Sequence, residues 1–351
     1  MPVSGRKKTR AVSVGGVRIG GGEPVVVQSM TSTDTRNVRA TVGQIHRLEK
    51  AGCEIVRVAV PDLTAARAID GIRRKISIPV IADIHFDYHL ALAAISAGAD
   101  GIRVNPGNIS REKLRIVAAA ARENGTAVRL GVNAGSLEKD IRRGLGTGAE
   151  ALVESAMRGI ALMEEAGVKS LKISLKSSDV PTMIDAYRKI SARTDCPLHL
   201  GVTEAGTLIQ SCIKSSLGIG SLLYEGIGDT IRVSITGDPV REVGVAYGIL
   251  RALGIRSVGP EIVSCPTCGR CEIDLSRLVN KIEKKLAGSR KHLKIALMGC
   301  VVNGPGEAAD ADIGIAGGRG AGVLFRKGKP VRKVREEDFI EVLMGEIDNW
   351  K

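Results

Sequence analysis

From Val25 onward the sequence alternates short β-branched apolar runs with longer stretches of helical spacing, eight times over, which restricts it to parallel strands joined by helical crossovers. The candidate strands are Val25–Ser29, Glu54–Val60, Pro79–Ile84, Gly101–Val104, Ala127–Val132, Leu171–Leu175, Leu198–Val202 and Thr230–Ile235. Between them lie segments such as Val38–Ala51, Ser110–Asn124, Ala149–Ala166 and Val240–Leu253, several followed by a helix-ending glycine: Gly52, Gly125, Gly167, Gly254. Eight units in about 230 residues match the count and length of a (β/α)8, TIM-type barrel. An open doubly wound sheet is the alternative, but its glycine-rich turn should follow the first strand, which here runs into Gln28-Ser29-Met30-Thr31. Upstream, Ala11–Ile19 reads as a hairpin turning at Gly15-Gly16, placed to close the barrel floor. The alternation stops after Gly259. The expected architecture is therefore α/β, with the barrel over residues 1–258 and a smaller α+β domain over residues 259–351.

Side chains alternate faces along a strand, and a barrel interior is ordinarily filled by branched apolar residues. Here the face turned to the helices is apolar, as in Val56, Val58 and Val60, or Val128, Leu130 and Val132. The inward face carries Arg57, Arg103, Asn105, Arg129, Gly131, Asn133, Lys172, Ser174, Lys176, Arg232 and Ser234, with Asp83, His85, His199 and Thr203 on the third and seventh strands. Glu204 follows at a strand end. Six inward cations cannot be matched by Asp83 and Glu204, and an unpaired buried cation costs several kcal/mol even after relaxation. A ligand supplies the missing negative charge most simply. Arg forks and Lys point charges suit phosphate oxygens, and most of these residues fall at the C-terminal strand ends where barrel active sites lie. Pairing with acids on the mouth loops is the competing account for any single cation. Asp83 and His85 suit either ligand orientation and proton transfer or a hydrogen-bonded structural role; His199 reads as a packed barrel residue.

The second domain opens with Ser264-Cys265-Pro266-Thr267-Cys268-Gly269-Arg270-Cys271, and Cys300 follows in Met298-Gly299-Cys300-Val301-Val302-Asn303-Gly304-Pro305-Gly306-Glu307. A C-x2-C turn sets two thiolates on one metal and a distant cysteine closes the site. Counting alone offers Cys265, Cys268, Cys271 and Cys300 as four thiolates, for an iron–sulfur cluster or a structural zinc. A closed zinc site gives the glycine-rich Cys300 loop no purpose and the charged barrel no chemical partner. Cys53, Cys196 and Cys212 are isolated and read as packed small residues. Seven cysteines, an odd number, in a chain of this size favour metal binding in a reducing, cytoplasmic compartment over disulfides. The stretch Gly317-Gly318-Arg319-Gly320-Ala321-Gly322 precedes a strand rather than a helix, so it reads as a tight turn and not a dinucleotide site.

The formal charge is +13, yet aromatic residues make up only 2% of the chain, which argues against a binder of single strands or RNA that stacks bases on aromatic rings. Small anionic substrates and acidic protein partners account for the charge better than duplex phosphates. The basic N-terminus lacks the apolar core of a secretory signal, and no run reaches the roughly 18 apolar residues of a membrane span.

Together these motifs resemble the 4-hydroxy-3-methylbut-2-en-1-yl diphosphate synthase family of the non-mevalonate isoprenoid pathway, over essentially the whole chain and in its bacterial two-domain form. The most specific marks are the two cysteine motifs quoted above; Val25-Val26-Val27-Gln28-Ser29-Met30, Ile102-Arg103-Val104-Asn105-Pro106-Gly107-Asn108 and Gly131-Val132-Asn133 agree. The resemblance implies an iron–sulfur oxidoreductase with a [4Fe–4S] cluster on Cys265, Cys268, Cys300 and Glu307, which opens 2-C-methyl-D-erythritol 2,4-cyclodiphosphate with two electrons and loss of water. It implies substrate contacts from Arg57, Arg103, Asn105, Arg129, Asn133, Lys176, Arg232 and Ser234, proton donation by Glu204, and Asn303 beside the cluster. It further implies flavodoxin or ferredoxin as electron donor and a homodimer in which one subunit's cluster domain caps the other's barrel. Counting and resemblance differ at Cys271. A carboxylate is a poorer ligand than a thiolate for cluster iron, so Glu307 leaves an exchangeable site that a catalytic cluster needs. The rival functions are a zinc-stabilised nucleic-acid-binding protein and an iron–sulfur barrel enzyme acting on another phosphorylated polyol.

Overall fold

Each barrel strand is a run whose alternate residues bury against helices, and the helices begin where a side chain satisfies their free N–H groups. Asn37 accepts from the Ala40 amide at 3.1 Å, Asp62 from Ala65 at 2.9 Å and Asp179 from Thr182 at 2.9 Å. The computed structural model describes residues 5–286, 288–289, 291–300, 306 and 308–350. These fall into two compact units, one up to Arg256 and the other from Ser257.

In the first unit, β1 (Val12–Val14) and β2 (Val17–Ile19) form an antiparallel hairpin. Eight parallel strands follow: β3 (Val26–Met30), β4 (Ile55–Ala59), β5 (Val80–Asp83), β6 (Gly101–Val104), β7 (Ala127–Asn133), β8 (Leu171–Lys176), β9 (His199–Leu200) and β10 (Thr230–Ile231). Their order is β8-β7-β6-β5-β4-β3-β10-β9, and a parallel bridge between Ile173 and Leu198 joins the two ends into a ring. The hairpin's Val12, Val14 and Ile19 pack against Val26, Ile55, Ile81 and Ala127, an apolar floor for the barrel. Strand β10 is shorter than its apolar run because the backbone leaves the ladder: the Ile235 amide donates to the Glu242 carboxylate at 3.2 Å instead of to a neighbouring strand.

The basic N-terminal run is drawn into this unit. Arg6 and Thr9 each reach Asp229 at 2.9 Å, Lys7 donates to the Thr194 carbonyl at 2.8 Å, and Arg10 pairs with Glu164 and Asp195 at 2.6 Å.

The second unit is a five-stranded sheet in the order β11 (Glu261–Ser264), β12 (Lys294–Met298), β13 (Ile313–Gly318), β14 (Ala321–Arg326), β15 (Lys329–Arg335). The first three strands are parallel, and the last two are antiparallel hairpin partners, the glycine-rich stretch forming the tight turn between β13 and β14. Helices Leu275–Leu286 and Phe339–Asp348 contribute Leu278, Ile282, Phe339, Leu343 and Ile347 to a core with Ile295, Leu297, Ile313, Ile315 and Leu324. Among the described residues no helix is long and apolar enough to cross a membrane.

Candidate active site

Directly above the apolar floor the barrel interior turns polar. Gln28, Arg129, Lys172 and His199 are all buried, and β7 and β8 set Arg129 opposite Lys172 in register. The Gln28 amide, Nε and Nη1 of Arg129, Nζ of Lys172 and Nε2 of His199 have no hydrogen-bond partner among the described residues. His199 is not merely packed: its Nδ1 meets the Thr230 hydroxyl at 2.7 Å while Nε2 is left without a partner. Burial, and then the positive charge of Arg129, push the Lys172 ammonium and the His199 ring well below their ordinary values; Arg129 is depressed by burial and by Arg57.

Nearer the C-terminal strand ends, Asp83 organises two of the cations, lying 3.6 Å from Nε of Arg57 and 3.6 Å from Nη1 of Arg103, with His85 at 3.4 Å. Burial alone would raise the Asp83 carboxyl; Arg57, His85 and Arg103 overcome it and hold the group far below the usual carboxylate range. Burial brings Arg57 down to about 10 against the pull of Asp83. The Arg57 guanidinium also donates to the Met30 thioether, Nε at 3.1 Å and Nη2 at 3.0 Å.

Gly131 explains where Arg103 goes. A Cβ at that position would sit 2.4 Å from Nε of Arg103, so only glycine lets the guanidinium lie along β7, where Nη2 donates to the Gly131 carbonyl at 3.2 Å. With its amide oxygen turned toward Arg103, Asn133 accepts from the same Nη2 at 3.1 Å. Lys176 is buried, and burial followed by Arg129 and Arg232 lowers its ammonium well below the ordinary value.

Arg232 is held by a residue that strand parity does not reveal. Glu242, in the first turn of helix Val240–Ala252, is buried and accepts from Arg232 through Nη2 at 3.0 Å and Nε at 3.2 Å, and from the Ser29 hydroxyl at 2.8 Å. A signal existed: Glu242 shares the buried helical stripe with Ala246 and Ile249, where an unpartnered carboxylate has no place. Sequence reasoning missed Met30 and Gln28 as well, both on the inward face of β3.

Three of the six inward cations therefore meet a carboxylate, and Arg129, Lys172 and Lys176 meet none among the described residues. Glu204, which follows the end of β9, is exposed, on a left-handed backbone with φ +53° that non-glycine residues seldom adopt. Asn105 is buried with its amide engaged: Nδ2 donates to the Ser136 hydroxyl at 2.6 Å, and Oδ1 accepts from the Gly107 amide at 3.0 Å. Ser234 is half-buried after β10, its carbonyl accepting from the Ser211 hydroxyl at 2.8 Å.

In the second unit Cys265 and Cys300 follow the C-terminal ends of the adjacent parallel strands β11 and β12. The Cys265 sulfur accepts the Gly299 amide at 3.2 Å, and hydrogen bonds from Arg270, its backbone amide first, lower the exposed Cys268 thiol below its ordinary value. The lowered Cys268 thiol favours thiolate, the form that binds iron. Cys271 is spent on packing. Its thiol donates to the Ile273 carbonyl at 3.2 Å and fills the space beside Gly299, where a Cβ would meet the sulfur at 2.4 Å. Among the described residues no three His, Cys, Asp or Glu side chains stand together as a metal site. Asn303 and Glu307 lie outside the described residues. Cys53 and Cys196 are buried, and burial pushes the Cys53 thiol up to about 12, which marks it as inert; Cys212 is half-buried.

Comparison with known proteins places this geometry in a family. The profile of the GcpE TIM-barrel domain matches residues 9–247, and that of the GcpE protein C-terminal domain matches residues 261–349. The chain is 56% identical over 345 residues to the 4-hydroxy-3-methylbut-2-en-1-yl diphosphate synthase (flavodoxin) of Geobacter sulfurreducens, covering 98% of each chain. It is 55% identical over 346 residues to the protein of that name from Clostridium acetobutylicum, covering 98% of this chain and 99% of the relative. Among solved structures, dihydropteroate synthase from Stenotrophomonas maltophilia covers 70% of this chain and 97% of its own at a TM-score of 0.53 and 15% identity, a likeness of fold alone.

Proposed function

The chain belongs to the GcpE family, whose curated members are 4-hydroxy-3-methylbut-2-en-1-yl diphosphate synthases, and on that premise we propose how its residues carry out that reaction. The substrate is 2-C-methyl-D-erythritol 2,4-cyclodiphosphate, which is opened reductively and loses water to give the linear diphosphate. The observation that carries this reading is the barrel's surplus of inward cations: Arg129, Lys172 and Lys176, buried without a carboxylate among the described residues, beside the buried Arg57 and Arg103 and the half-buried Arg232. A multiply anionic ring supplies the missing charge and draws the depressed lysines toward their protonated form.

Arg57, Arg103, Arg129, Lys176 and Arg232 hold the diphosphate, pre-aimed by Asp83, Gly131 and Glu242 so that little reorganises on binding. Asn133 and Ser234 complete the cradle, and Asn105 acts mainly by fixing the Pro106-Gly107 turn against Ser136. Glu204, exposed beyond β9, delivers the proton with which the departing hydroxyl leaves as water; its left-handed backbone is the strain expected of a residue kept for function. GcpE enzymes are iron–sulfur proteins, and here Cys265, Cys268 and Cys300, with Glu307, would hold a [4Fe–4S] cluster, Asn303 lying beside it. The Gly299 amide on the Cys265 sulfur and the lowered Cys268 thiol fit such a group. When bound, the cluster supplies the two electrons.

Flavodoxin, named in the relatives' titles, is the donor this reading adopts, with ferredoxin as the alternative. Two copies of the chain pair in a cytoplasmic enzyme. Pairing is supported by the exposed stripe Ile209, Ile213 and Leu217 on helix Leu208–Tyr224, beside a groove of 670 Å³ between that helix and Val240–Ala252. Neither a zinc-stabilised nucleic-acid binder nor an enzyme for another polyol finds support among the relatives.

The test is anaerobic turnover of the cyclic diphosphate with a chemical reductant, beside iron, sulfide and zinc analysis. Brown protein with iron and sulfide that forms the linear diphosphate is the expected result. Colourless protein with one zinc, or brown protein inert toward this substrate, removes the reading.

A further inference from the structure

The chain carries two dense basic runs, and the fold treats them oppositely. The N-terminal one is consumed by Asp229, Asp195, Glu164 and backbone carbonyls, as described above. The other, Arg326-Lys327-Gly328-Lys329-Pro330-Val331-Arg332-Lys333-Val334-Arg335, makes the edge strand β15, whose residues other than Val334 are all exposed. Arg326 pairs with Glu346, and Arg335 with Glu337 and Asp338. Lys327, Lys329, Arg332 and Lys333 have no carboxylate partner among the described residues. Val331, 48% exposed, falls at the bulge where the register with β14 shifts, which sets Lys329 and Arg332 on one face of the strand and Lys333 on the other. Unpaired cations along an exposed sheet edge suit a weak, electrostatically steered protein interface.

Register places this surface relative to the thiols. Lys333 pairs with Val323, Val323 with Ala316, and Ala316 with Met298, so Lys333 lies level with the residue two before Cys300. Arg335, through Ala321, lies level with Gly318, two residues past the last β12–β13 pair. Three strand spacings separate β15 from β12, about 14 Å at the usual interval.

We propose that β15 is the docking surface for the electron donor, an acidic one-electron carrier protein whose carboxylates meet Lys329, Arg332 and Lys333. This rests on the reductive activity proposed above. Lysines also protect edge strands from pairing with other sheets, but that role predicts no dependence on the identity of the reductant.

The experiment compares the full-length protein with the triple variant Lys329→Gln, Arg332→Gln, Lys333→Gln, and with a charge-matched control on an exposed helix face, Lys281→Gln, Lys284→Gln, Lys285→Gln. Turnover of the cyclic diphosphate is measured with reduced flavodoxin and, separately, with reduced methyl viologen. Expected is a fall of about tenfold or more in kcat/KM for flavodoxin in the β15 variant at low ionic strength, fading toward about 0.5 M salt. Viologen-driven turnover stays within twofold of the parent, and the control keeps its flavodoxin kinetics. Unchanged flavodoxin kinetics in the β15 variant, an equal loss with viologen, or an equal loss in the control would overturn the proposal. Absence of viologen turnover in the parent would instead remove the activity on which it rests.

Discussion

The barrel and the second unit solve opposite problems. The barrel keeps charge inside: its floor is apolar, and above it lie six cations with two carboxylates, Asp83 and Glu242, to steady them. The second unit keeps an ordinary apolar core between its sheet and helices, leaves its cations on exposed faces such as the β15 edge and puts Cys265 and Cys300 just past strand ends. A packed interior that stores positive charge is built to be neutralised by something arriving from outside. Loops carrying thiols past strand ends are built to hold a soft metal. On the proposed function, anion recognition and electron supply belong to separate parts of the chain.

The largest effect should come from Cys300→Ser. Reductive turnover is expected to fall by more than about a thousandfold as a ligand set loses one thiolate. Calorimetric affinity for the cyclic diphosphate should stay within about threefold, because no barrel cation has changed. A parallel loss of affinity would show that recognition and electron supply are not separable.

Arg129→Met tests the converse. Removing charged hydrogen bonds worth about 1.5–3 kcal/mol should weaken cyclic diphosphate binding by about ten- to a hundredfold. Iron content and visible spectrum should match the parent. Unaltered affinity would mean that Arg129 is buried for structural reasons only.

These two residues also show what the sequence made legible. Arg129 could be found because side chains on a strand have two choices of direction, and apolar neighbours on one face force the rest inward. Gly131, an inward glycine between cations, carried the further message that a guanidinium lies across it. Cys265, Cys268 and Cys300 were found as a motif, but which of them gather depends on how loops close in three dimensions, and periodicity is silent there. Cys271 illustrates this: its spacing admits a fourth ligand, and in this structure its sulfur lies 3.2 Å from the Ile273 carbonyl oxygen. Glu204 lies beyond the reach of parity for a related reason. Strand β9 ends at Leu200, so parity no longer governs position 204, and the acid that steadies the lining comes from a helix instead.

Glu242→Gln sharpens the picture of the barrel as a pre-aimed cradle. The amide keeps the shape but loses the charge that fixes Arg232, so KM for the cyclic diphosphate should rise about tenfold, or about 1.4 kcal/mol. The kcat should stay within twofold, a split that general destabilisation would not produce. A fall in kcat at constant KM would place Glu242 in the chemistry rather than in positioning.

The smallest effect concerns the chain without substrate. Lys172 is fully buried and its ammonium is pushed well below the ordinary value, by burial first and then by Arg129. Below the unfolded lysine value of about 10.4 the unfolded chain therefore binds more protons than the folded one, and stability rises with pH through the window between the two. The melting temperature should climb from neutral pH toward pH 9.5 as the cost of the buried charge is relieved (about 9.5, short of the lysine reference). Lys172→Met removes that cost outright: at pH 7 the variant should be more stable by about 1 kcal/mol, a few degrees for a unit of this size, with a flatter pH profile. Saturating cyclic diphosphate should reduce the parent's pH dependence, since the ligand restores the proton to the folded state. The β15 variant, whose cations are already in water, should show the parent's profile unchanged. A Lys172→Met protein that melts lower than the parent would mean that the barrel's surplus charge is already compensated in the free chain, and the contrast between its two regions would then be one of packing rather than of stored charge.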